Sequence, residues 1–222
     1  MLALARSGVA EGVWLRAERQ SSGRGRMGRD WSSPVGNFYG STLVRLRPSD
    51  PLAASLAFVA AVALDEAVST HLRDGAGGTL RLKWPNDLLI DGAKLSGILL
   101  ERTDDAVVIG MGVNLAHHPD LPDRPTTSLA VHDTAVDPAQ FAETLAETFS
   151  RWLSRWRGEG LAPVRQRWLD RAHPVGTALT ARLPDGTAHD GLFDGLDGDG
   201  ALILRLADGD RRVIHAADVF LI

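Results

Sequence analysis

Three arginines alternate with glycines near the start of the chain, in the segment Gly23-Arg24-Gly25-Arg26-Met27-Gly28-Arg29. Guanidinium groups bind carboxylates and phosphates through paired, charge-assisted hydrogen bonds. Glycine lets the backbone fold closely around a ligand because it has no side chain to clash. A solvated surface loop is the alternative, but the formal net charge of −4 makes such a basic cluster unusual in this chain. We therefore interpret the segment as an anion-binding loop.

The same glycines match the pattern G-x-G-x-x-G of dinucleotide-binding turns. That pattern binds a dinucleotide only where it opens a helix, because the helix N-terminus holds the pyrophosphate. Here the chain continues as Arg29-Asp30-Trp31-Ser32-Ser33-Pro34-Val35-Gly36, which cannot begin a helix. The sequence thus argues against a dinucleotide site of this kind.

A second segment with chemical potential is Lys83-Trp84-Pro85-Asn86-Asp87. Pro85 cannot donate a hydrogen bond to a ladder, so the chain must turn there or run along a sheet edge. Trp84 offers a flat apolar wall, whereas Asn86 and Asp87 offer hydrogen-bonding groups. Asp87 is also a candidate ligand for a divalent metal near phosphates. A plain hairpin with an Asn-Asp turn is the alternative interpretation.

The composition is that of an ordinary globular chain, with 44% apolar and 23% charged residues. The acidic net charge argues against a nucleic-acid binder that relies on bulk positive charge. The absence of cysteine excludes disulfides, thiol nucleophiles and thiolate metal sites. The N-terminus lacks the pattern of a signal peptide, and the longest apolar run, Leu56 to Leu64, is short of the roughly 20 residues of a membrane span. We expect a soluble, cytoplasmic protein without a membrane segment.

Hydrophobic periodicity predicts the elements that position these segments. Asp50-Pro51 and Asp137-Pro138 each resemble a helix N-cap followed by proline at the first helical position. Asp91-Gly92 is a strong signal for a two-residue hairpin. Glycine inside a strand, as at Gly110 and Gly112, often marks close approach of a ligand or another backbone. The predicted strands are 13–18, 38–46, 80–84, 88–90, 94–101 and 106–115, and the predicted helices are an amphipathic helix over 51–73 that ends at Gly75, Gly77 and Gly78, a helix from Pro138 onward, and a helix over 161–171.

The pattern changes after His173-Pro174, where short alternating strands are separated by turn signals such as Asp197-Gly198 and Asp208-Gly209. Such a pattern is typical of a small antiparallel barrel. We therefore predict a larger domain over residues 1–174 and a C-terminal barrel over residues 175–222. Two further interpretations follow from spacing. We expect core or interface positions for Trp152, Trp156 and Trp168. We expect a hairpin turn, and not a calcium loop, at Asp194, Asp197 and Asp199.

Taken together, three motifs resemble the signatures of biotin–protein ligases in order and spacing. The first is the arginine–glycine segment with its continuation Trp31-x-Ser33-Pro34, and the second is Lys83–Asp87 followed by Lys94-Leu95-x-Gly97-Ile98-Leu99-x-Glu101. The third is Gly110-x-Gly112-Val113-Asn114. The resemblance covers roughly residues 13–116, and the C-terminal barrel matches too.

The resemblance implies an α+β fold: a mixed, largely antiparallel sheet flanked by helices, as in class II synthetase-like biotin ligase catalytic domains, followed by an SH3-like barrel. It also implies roles for individual residues. The catalytic candidates are Lys94, Arg26, Arg24 and Asp87; the biotin and adenylate contacts are Gln20, Gly23, Arg24, Arg26, Arg29, Trp31, Lys94 and Gly97; the nucleotide contacts are Trp31, Asn86 and Asn114; and Asp87 is the candidate metal ligand.

The implied activity is ATP-dependent ligation of biotin to a lysine of a biotin carboxyl carrier protein, such as that of acetyl-CoA carboxylase, through biotinyl-5'-AMP. ATP, Mg²⁺ and biotin are the implied ligands, a homodimer is one implied assembly, and DNA is not an implied partner because no helix-turn-helix precedes the motifs. The family's Ser-Thr-Asn stretch does not occur before Met1-Leu2-Ala3-Leu4, which favours a truncated start over the alternative of an unusual biotin pocket. The alternatives are a lipoate or octanoate ligase or transferase of the same fold, and a non-catalytic biotin- or nucleotide-binding module.

Overall fold

A six-stranded antiparallel sheet carries all three sequence motifs. The structure, a computed structural model, describes residues 1–72 and 78–222. The spatial order of the strands is β1-β2-β6-β5-β4-β3, so β6 and β5 lie at the centre of the sheet. The predicted strands are confirmed, with ends shifted by a few residues. Their bounds are β1 Trp14–Ala17, β2 Phe38–Arg45, β3 Leu80–Lys83, β4 Asp87–Ile90, β5 Ala93–Thr103 and β6 Ala106–Val113.

Two local features bring Lys94 to the cavity face of this sheet. Asp91 and Gly92 both adopt positive φ, at 48° and 80°, as the predicted hairpin turn requires. Beyond the turn the register of β4 against β5 shifts between Leu88 and Leu89. Such a bulge turns side chains out of strict alternation and is frequent beside active sites. The Lys94 ammonium consequently lies over Gly97. A Cβ added to that glycine would be 3.3 Å from the ammonium nitrogen.

Within residues 1–72 and 78–222, four α-helices accompany the sheet: α1 Leu2–Arg6, α2 Leu56–His71, α3 Pro138–Glu159 and α4 Leu161–Arg171. The predicted start of α3 is confirmed, because the Asp137 carboxylate accepts backbone hydrogen bonds from Ala139 and Gln140 at 2.7 and 3.1 Å. The same signal at Asp50 was misleading. α2 begins only at Leu56, after a short 3-10 turn, and the Asp50 side chain instead pairs with Arg157 at 3.3 Å.

Helix α2 is buried on nearly every side, so the prediction of an amphipathic helix is wrong. The segment Ala53–His71 is 19 residues long and apolar enough to cross a membrane by length and composition, in contrast to the expectation drawn from the shorter apolar run. In the folded chain 67% of it is buried inside the protein, as in the core helix of a globular domain. Of the three glycines predicted to end the helix, Gly75 and Gly77 lie outside the described residues and Gly78 lies inside them, whereas α2 ends at His71.

The tryptophans of α3 and α4 pack in the core, as predicted. Trp156 is fully buried, and its indole nitrogen donates to the Ser55 hydroxyl at 2.8 Å. Trp168 meets Phe58 of α2 edge-to-face, with ring centroids 5.6 Å apart. Each such side chain removes a large apolar area from water, and fully burying a Phe-sized side chain stabilises a fold by about 1.5–3 kcal/mol. The three helices α2, α3 and α4 are thereby fixed on one face of the sheet.

The C-terminal residues form a second, five-stranded antiparallel sheet in the order β10-β9-β8-β7-β11. Its edge strands β10 and β11 do not pair with each other among the described residues, so the predicted barrel appears as an open sheet. Asp197 accepts backbone hydrogen bonds from Asp199 and Ala201, which makes this segment the predicted turn. The bounds are β7 Ala178–Arg182, β8 Ala188–Leu196, β9 Leu202–Arg205, β10 Arg211–Ile214 and β11 Asp218–Leu221.

The two sheets share one hydrophobic core. The indole nitrogen of Trp84, in the turn between β3 and β4, donates to the carbonyl of Gly200, in the turn between β8 and β9, at 3.1 Å. Gly200 adopts a φ of +90°, and a Cβ there would lie 2.4 Å from the Phe58 ring. The second sheet is therefore seated closely against the first, and the division at residues 174 and 175 stays a prediction.

Candidate active site

One large cavity of about 810 Å³ lies between the six-stranded sheet, the arginine loop and strand β11. Its volume is within the range of small-molecule sites in proteins. The predicted site residues that line it are Gln20, Arg24, Arg26, Arg29, Trp31, Asn86, Asp87, Lys94, Gly97 and Asn114. The structure therefore brings together residues that are more than 90 positions apart in the sequence.

Gly23 lies behind the cavity wall instead of in it. Its carbonyl accepts a hydrogen bond from the backbone of Trp31 at 3.0 Å. A Cβ on Gly23 would lie 2.3 Å from the Trp31 carbonyl oxygen, a distance at which no side chain fits. The predicted contact of Gly23 with biotin stays a prediction. The glycine is required because the loop folds back on itself there.

The arginine loop is a closed turn, not the start of a long helix. The backbone nitrogen of Gly25 donates to the carbonyl of Arg29 at 2.7 Å, and a single 3-10 turn spans Arg26–Gly28. Met27 has a φ of 56°, an uncommon value for a residue with a side chain. This geometry confirms that the glycine pattern is not a dinucleotide-binding turn.

The three loop arginines have different surroundings. Arg26 is half-buried, and its guanidinium donates to the Asn86 side-chain oxygen at 3.2 Å. Arg29 pairs with Asp218 on β11 at 3.0 Å. Arg24 pairs with Glu101 at 3.1 Å, but 61% of its side chain is exposed. Arg26 is thus the loop cation best sheltered from water, where charge-assisted hydrogen bonds are strongest.

The two lysines of the chain flank one buried carboxylate. The Lys94 ammonium lies 2.6 Å from one oxygen of Asp87, and the Lys83 ammonium lies 3.3 Å from the other. Lys83 also donates to the backbone carbonyl of Val219 at 3.1 Å. Only 7% of the Asp87 side chain is exposed. A group of one negative and two positive charges leaves a net positive charge at the floor of the cavity, which suits an anionic ligand.

The ionisation of this group follows from burial and pairing. Burial opposes the charged form of Asp87, but the ammonium groups of Lys94 and Lys83 outweigh it and hold the carboxyl pKa below its ordinary value. Burial lowers the pKa of Lys94, and the contact with Asp87 offsets only part of that shift. Asp87 is therefore ionised at neutral pH, and both of its oxygens already contact cations. The roles that the resemblance implied for Asp87, as a catalytic group and as a metal ligand, stay predictions.

Trp31 forms a flat wall against two glycines of the central strands. A Cβ on Gly112 would lie 2.6 Å from the indole ring, and a Cβ on Gly97 would lie 3.1 Å from it. From the glycines inside the strands we predicted that a ligand or another part of the chain comes close to the sheet. At Gly112 the group that comes close is the Trp31 side chain. The Lys94 ammonium lies 5.6 Å from the ring centroid, within cation–π range. The indole nitrogen is buried and has no hydrogen-bond partner among the described residues.

Asn86 and Asn114 hold backbone segments together at the edge of the cavity. The Asn86 amide donates to the carbonyl of Ile98 at 2.7 Å. The Asn114 amide donates to the carbonyl of Thr127 at 3.0 Å. Both side chains are therefore oriented by the fold before any ligand arrives. Their contact with a nucleotide stays a prediction.

Sequence reasoning gave no role to several charged residues that line the cavity, among them Arg124, Lys83 and Asp218. Arg124 lies between β6 and α3, in a segment for which we predicted no helix or strand. Lys83 was part of the second motif but received no role. Asp218 lies on β11 and contacts Arg29, 189 residues away in the chain. For Arg124, the signal that could have been used is its position between two prolines, in Pro122-Asp123-Arg124-Pro125.

Comparisons with known proteins find relatives along most of the chain. Residues 10–114 match the Biotin/lipoate A/B protein ligase family, and residues 176–222 match the Biotin protein ligase C terminal domain. A biotin--[acetyl-CoA-carboxylase] ligase of Paracoccus denitrificans is 42% identical over 96% of this chain and 92% of the relative. The bifunctional ligase/repressor BirA of Bacillus subtilis (strain 168) is 34% identical over 97% of this chain and 68% of the relative.

Solved structures show the same fold. The biotin protein ligase of Aquifex aeolicus, in complex with biotin and ATP, superposes with a TM-score of 0.87 at 22% identity, covering 100% of this chain and 94% of that one. The biotin protein ligase of Leishmania major, in complex with biotinyl-5-AMP, gives a TM-score of 0.66 at 26% identity, covering 97% and 94% of the two chains. With its three motifs gathered at one cavity and these relatives along nearly its whole length, the chain belongs to the biotin protein ligase family.

Proposed function

We propose that the chain activates biotin with ATP and transfers it to a lysine of a biotin carboxyl carrier protein, through biotinyl-5'-AMP. The observation that carries the proposal is the single cavity in which Lys94, Arg26 and the Trp31 wall converge. The Paracoccus relative, named for acetyl-CoA carboxylase, supports a carrier of that enzyme as the acceptor.

In the first step an oxygen of the biotin carboxylate attacks the α-phosphorus of ATP, and pyrophosphate leaves. Both reactants are anions, so their approach is opposed by repulsion. Lys94 on β5 and Arg26 in the loop both line the cavity, and we expect them to contact the two reacting anions. Fixed cations in a sheltered site stabilise the crowded transition state, and removing one such donor typically costs about 10²–10³ in rate.

In the second step the amine of the carrier lysine attacks the acyl carbon of the mixed anhydride, and AMP leaves. Fewer than about one free lysine in a thousand is neutral at pH 7, given a pKa near 10.4. Holding the amine and the anhydride in attack geometry raises the rate of this step. Asp87 serves here as the counter-ion that orients Lys94, since the contacts of its two oxygens leave little room for a proton-accepting role.

Mg²⁺ enters the proposal only as the companion of ATP. The described residues contain no group of three His, Asp or Glu side chains that could bind a metal ion. Asp87, the predicted ligand, contacts two ammonium groups instead. We expect the ion to be held by the phosphates and by water, in keeping with the habit of Mg²⁺ to retain several waters.

The test is ATP–pyrophosphate exchange by the purified chain with biotin or with lipoate. We expect exchange with biotin only, followed by labelling of a carrier protein that streptavidin detects. Lys94→Ala should lower the exchange rate by about 10²–10³, whereas Lys94→Arg keeps the charge and should retain more activity. Arg155→Ala is a matched control, because Arg155 is an exposed cation that pairs with Glu159 on α3 away from the cavity.

The outcomes separate the alternatives. Exchange that depends on lipoate or octanoate would show that one of these acids, and not biotin, is the substrate. Binding of biotin and ATP without exchange would make the chain a non-catalytic module. Full activity of Lys94→Ala would leave the ligase assignment intact but remove Lys94 from the chemistry.

A further inference from the structure

The last strand of the chain closes one side of the cavity. Strand β11 and the residue before it contact three cations of the site through Ala217, Asp218 and Val219. The Ala217 carbonyl lies 3.4 Å from two nitrogens of Arg26, and the Val219 carbonyl accepts from Lys83 at 3.1 Å. The second sheet is therefore part of the site, although the motifs that predicted the site lie in the first.

Asp218 is the one acidic side chain of this strand, and it faces the arginine loop. Each of its oxygens lies 3.0 Å from a different terminal nitrogen of Arg29, the two-pronged geometry that arginine forms with carboxylates. The Asp218 side chain is 20% exposed, so water screens the pair only in part. Arg26 lies farther away, with 3.8 Å between its nearest nitrogen and the same carboxylate.

This difference between the two arginines suggests that Arg29 holds the loop in place and that Arg26 is available to a ligand. Arg29 is held tightly by Asp218 and also donates to the Arg26 carbonyl at 3.3 Å, which braces the turn of the loop. Arg26 contacts Asp218 only loosely, and its other contacts are a neutral amide and a carbonyl. Arg26 can therefore turn to an anionic ligand without breaking the link that holds the loop.

We propose that Asp218 is a positioning residue: it fastens the arginine loop to the second sheet and so keeps the loop over the bound adenylate. The mention of an adenylate rests on the proposed function, whereas the fastening itself does not. Loss of the carboxylate should free the loop in the absence of any ligand. It should also let the adenylate escape before transfer, with a smaller effect on the chemistry that forms it.

Trypsin provides a test that needs no substrate, because it cleaves after the arginines of the loop. We expect ligand-free Asp218→Asn to be cut at Arg24 about tenfold faster than the wild type, the scale of one partly screened charge-assisted pair. Asp194→Asn is the matched control: Asp194 pairs with Arg205 and Arg211 within the same second sheet, away from the loop. Equal cleavage rates in the two variants and the wild type would overturn the proposal.

Two further variants protect the test against a folding defect. Asp218→Glu keeps the charge and should restore slow cleavage. Arg29→Gln removes the partner on the loop side and should speed cleavage at Arg24 as much as Asp218→Asn does, with no further gain in the double variant. Additive effects of the two substitutions would mean that the residues act separately, and would also overturn the proposal.

The second readout is the release of biotinyl-5'-AMP, added to the protein as the synthetic compound. The dissociation rate should rise about tenfold in Asp218→Asn and stay unchanged in Asp194→Asn. A wild-type chain that fails to bind the compound, but whose loop is still protected by Asp218 from trypsin, would refute the proposed function and leave the fastening intact. Binding with an unchanged dissociation rate in Asp218→Asn would refute the role in retention.

Discussion

Replacing Gly112 by alanine tests whether the packing of Trp31 against the central sheet shapes the site. The added Cβ would lie 2.6 Å from two atoms of the indole ring, closer than side chains tolerate. Gly112 belongs to β6, which is hydrogen-bonded to β2 and β5 on both sides, so the strand cannot retreat. The tryptophan must therefore move, and with it the wall that faces Lys94.

Overpacking of this kind typically costs about 1–3 kcal/mol in the free energy of unfolding. For a chain of this length each kcal/mol lowers the melting temperature by about 2–4 °C. We expect Gly112→Ala to show this loss in urea unfolding, together with a raised KM for ATP and biotin in the exchange assay. We expect the Trp31 wall to contribute to the binding of the substrates and not to the chemical step, so kcat should change less than KM.

Gly110→Ala is the matched control, two residues away on the same strand. Its Cβ would meet nothing closer than 3.7 Å, which is ordinary contact. We expect its stability to stay within about 0.5 kcal/mol of the wild type. If Gly112→Ala were as stable as Gly110→Ala and bound both substrates normally, the close packing of Trp31 would not be a property of the molecule in solution.

Two more predictions concern the carboxylates of Asp87, which is paired with two ammonium groups, and Asp137, which caps a helix. Because the pKa of Asp87 is depressed in the fold, its contribution to stability is fully present above its unfolded pKa of about 3.9 and is lost as the pH falls through the folded value. The stability gap between wild type and Asp87→Asn, measured by urea unfolding, should therefore narrow below about pH 4, and a gap that is constant with pH would contradict the assignment. Asp137→Ala should cost about 1 kcal/mol through loss of the α3 cap, whereas Asp137→Asn should keep most of it, since asparagine caps helices equally well; equal losses would show that the cap bond contributes nothing.

Local signals in the sequence predicted local structure well. The cap at Asp137 and the turn at Asp91-Gly92 depend on neighbours within three residues, and both formed as expected. The predicted cap at Asp50 did not form. Its carboxylate binds Arg157, which is 107 residues away in the chain, instead of the backbone at a helix start. Residue types alone did not reveal that competition.

The candidate site divides in the same way. The motifs predicted that Arg26, Trp31 and Lys94 share a cavity, because the resemblance fixed their order and spacing. They did not predict that Asp87 is neutralised by two lysines or that Asp218 reaches the loop. Both facts depend on the pairing of strands and on the seating of the second sheet, which no short-range pattern specifies.

The pairing of both lysines with Asp87 has a consequence for an enzyme that makes an acylating agent. Only two of the chain's 24 Lys and Arg residues are lysines, and neither side chain is more than 17% exposed. Arginine does not lose its proton at physiological pH, so the remaining basic residues are not nucleophiles. With both lysine side chains largely buried and paired with Asp87, such a ligase presents its mixed anhydride to a surface that has almost no competing lysine amines. Self-labelling is thereby limited by composition as well as by geometry, and the biotinyl group is kept for the lysine of another protein.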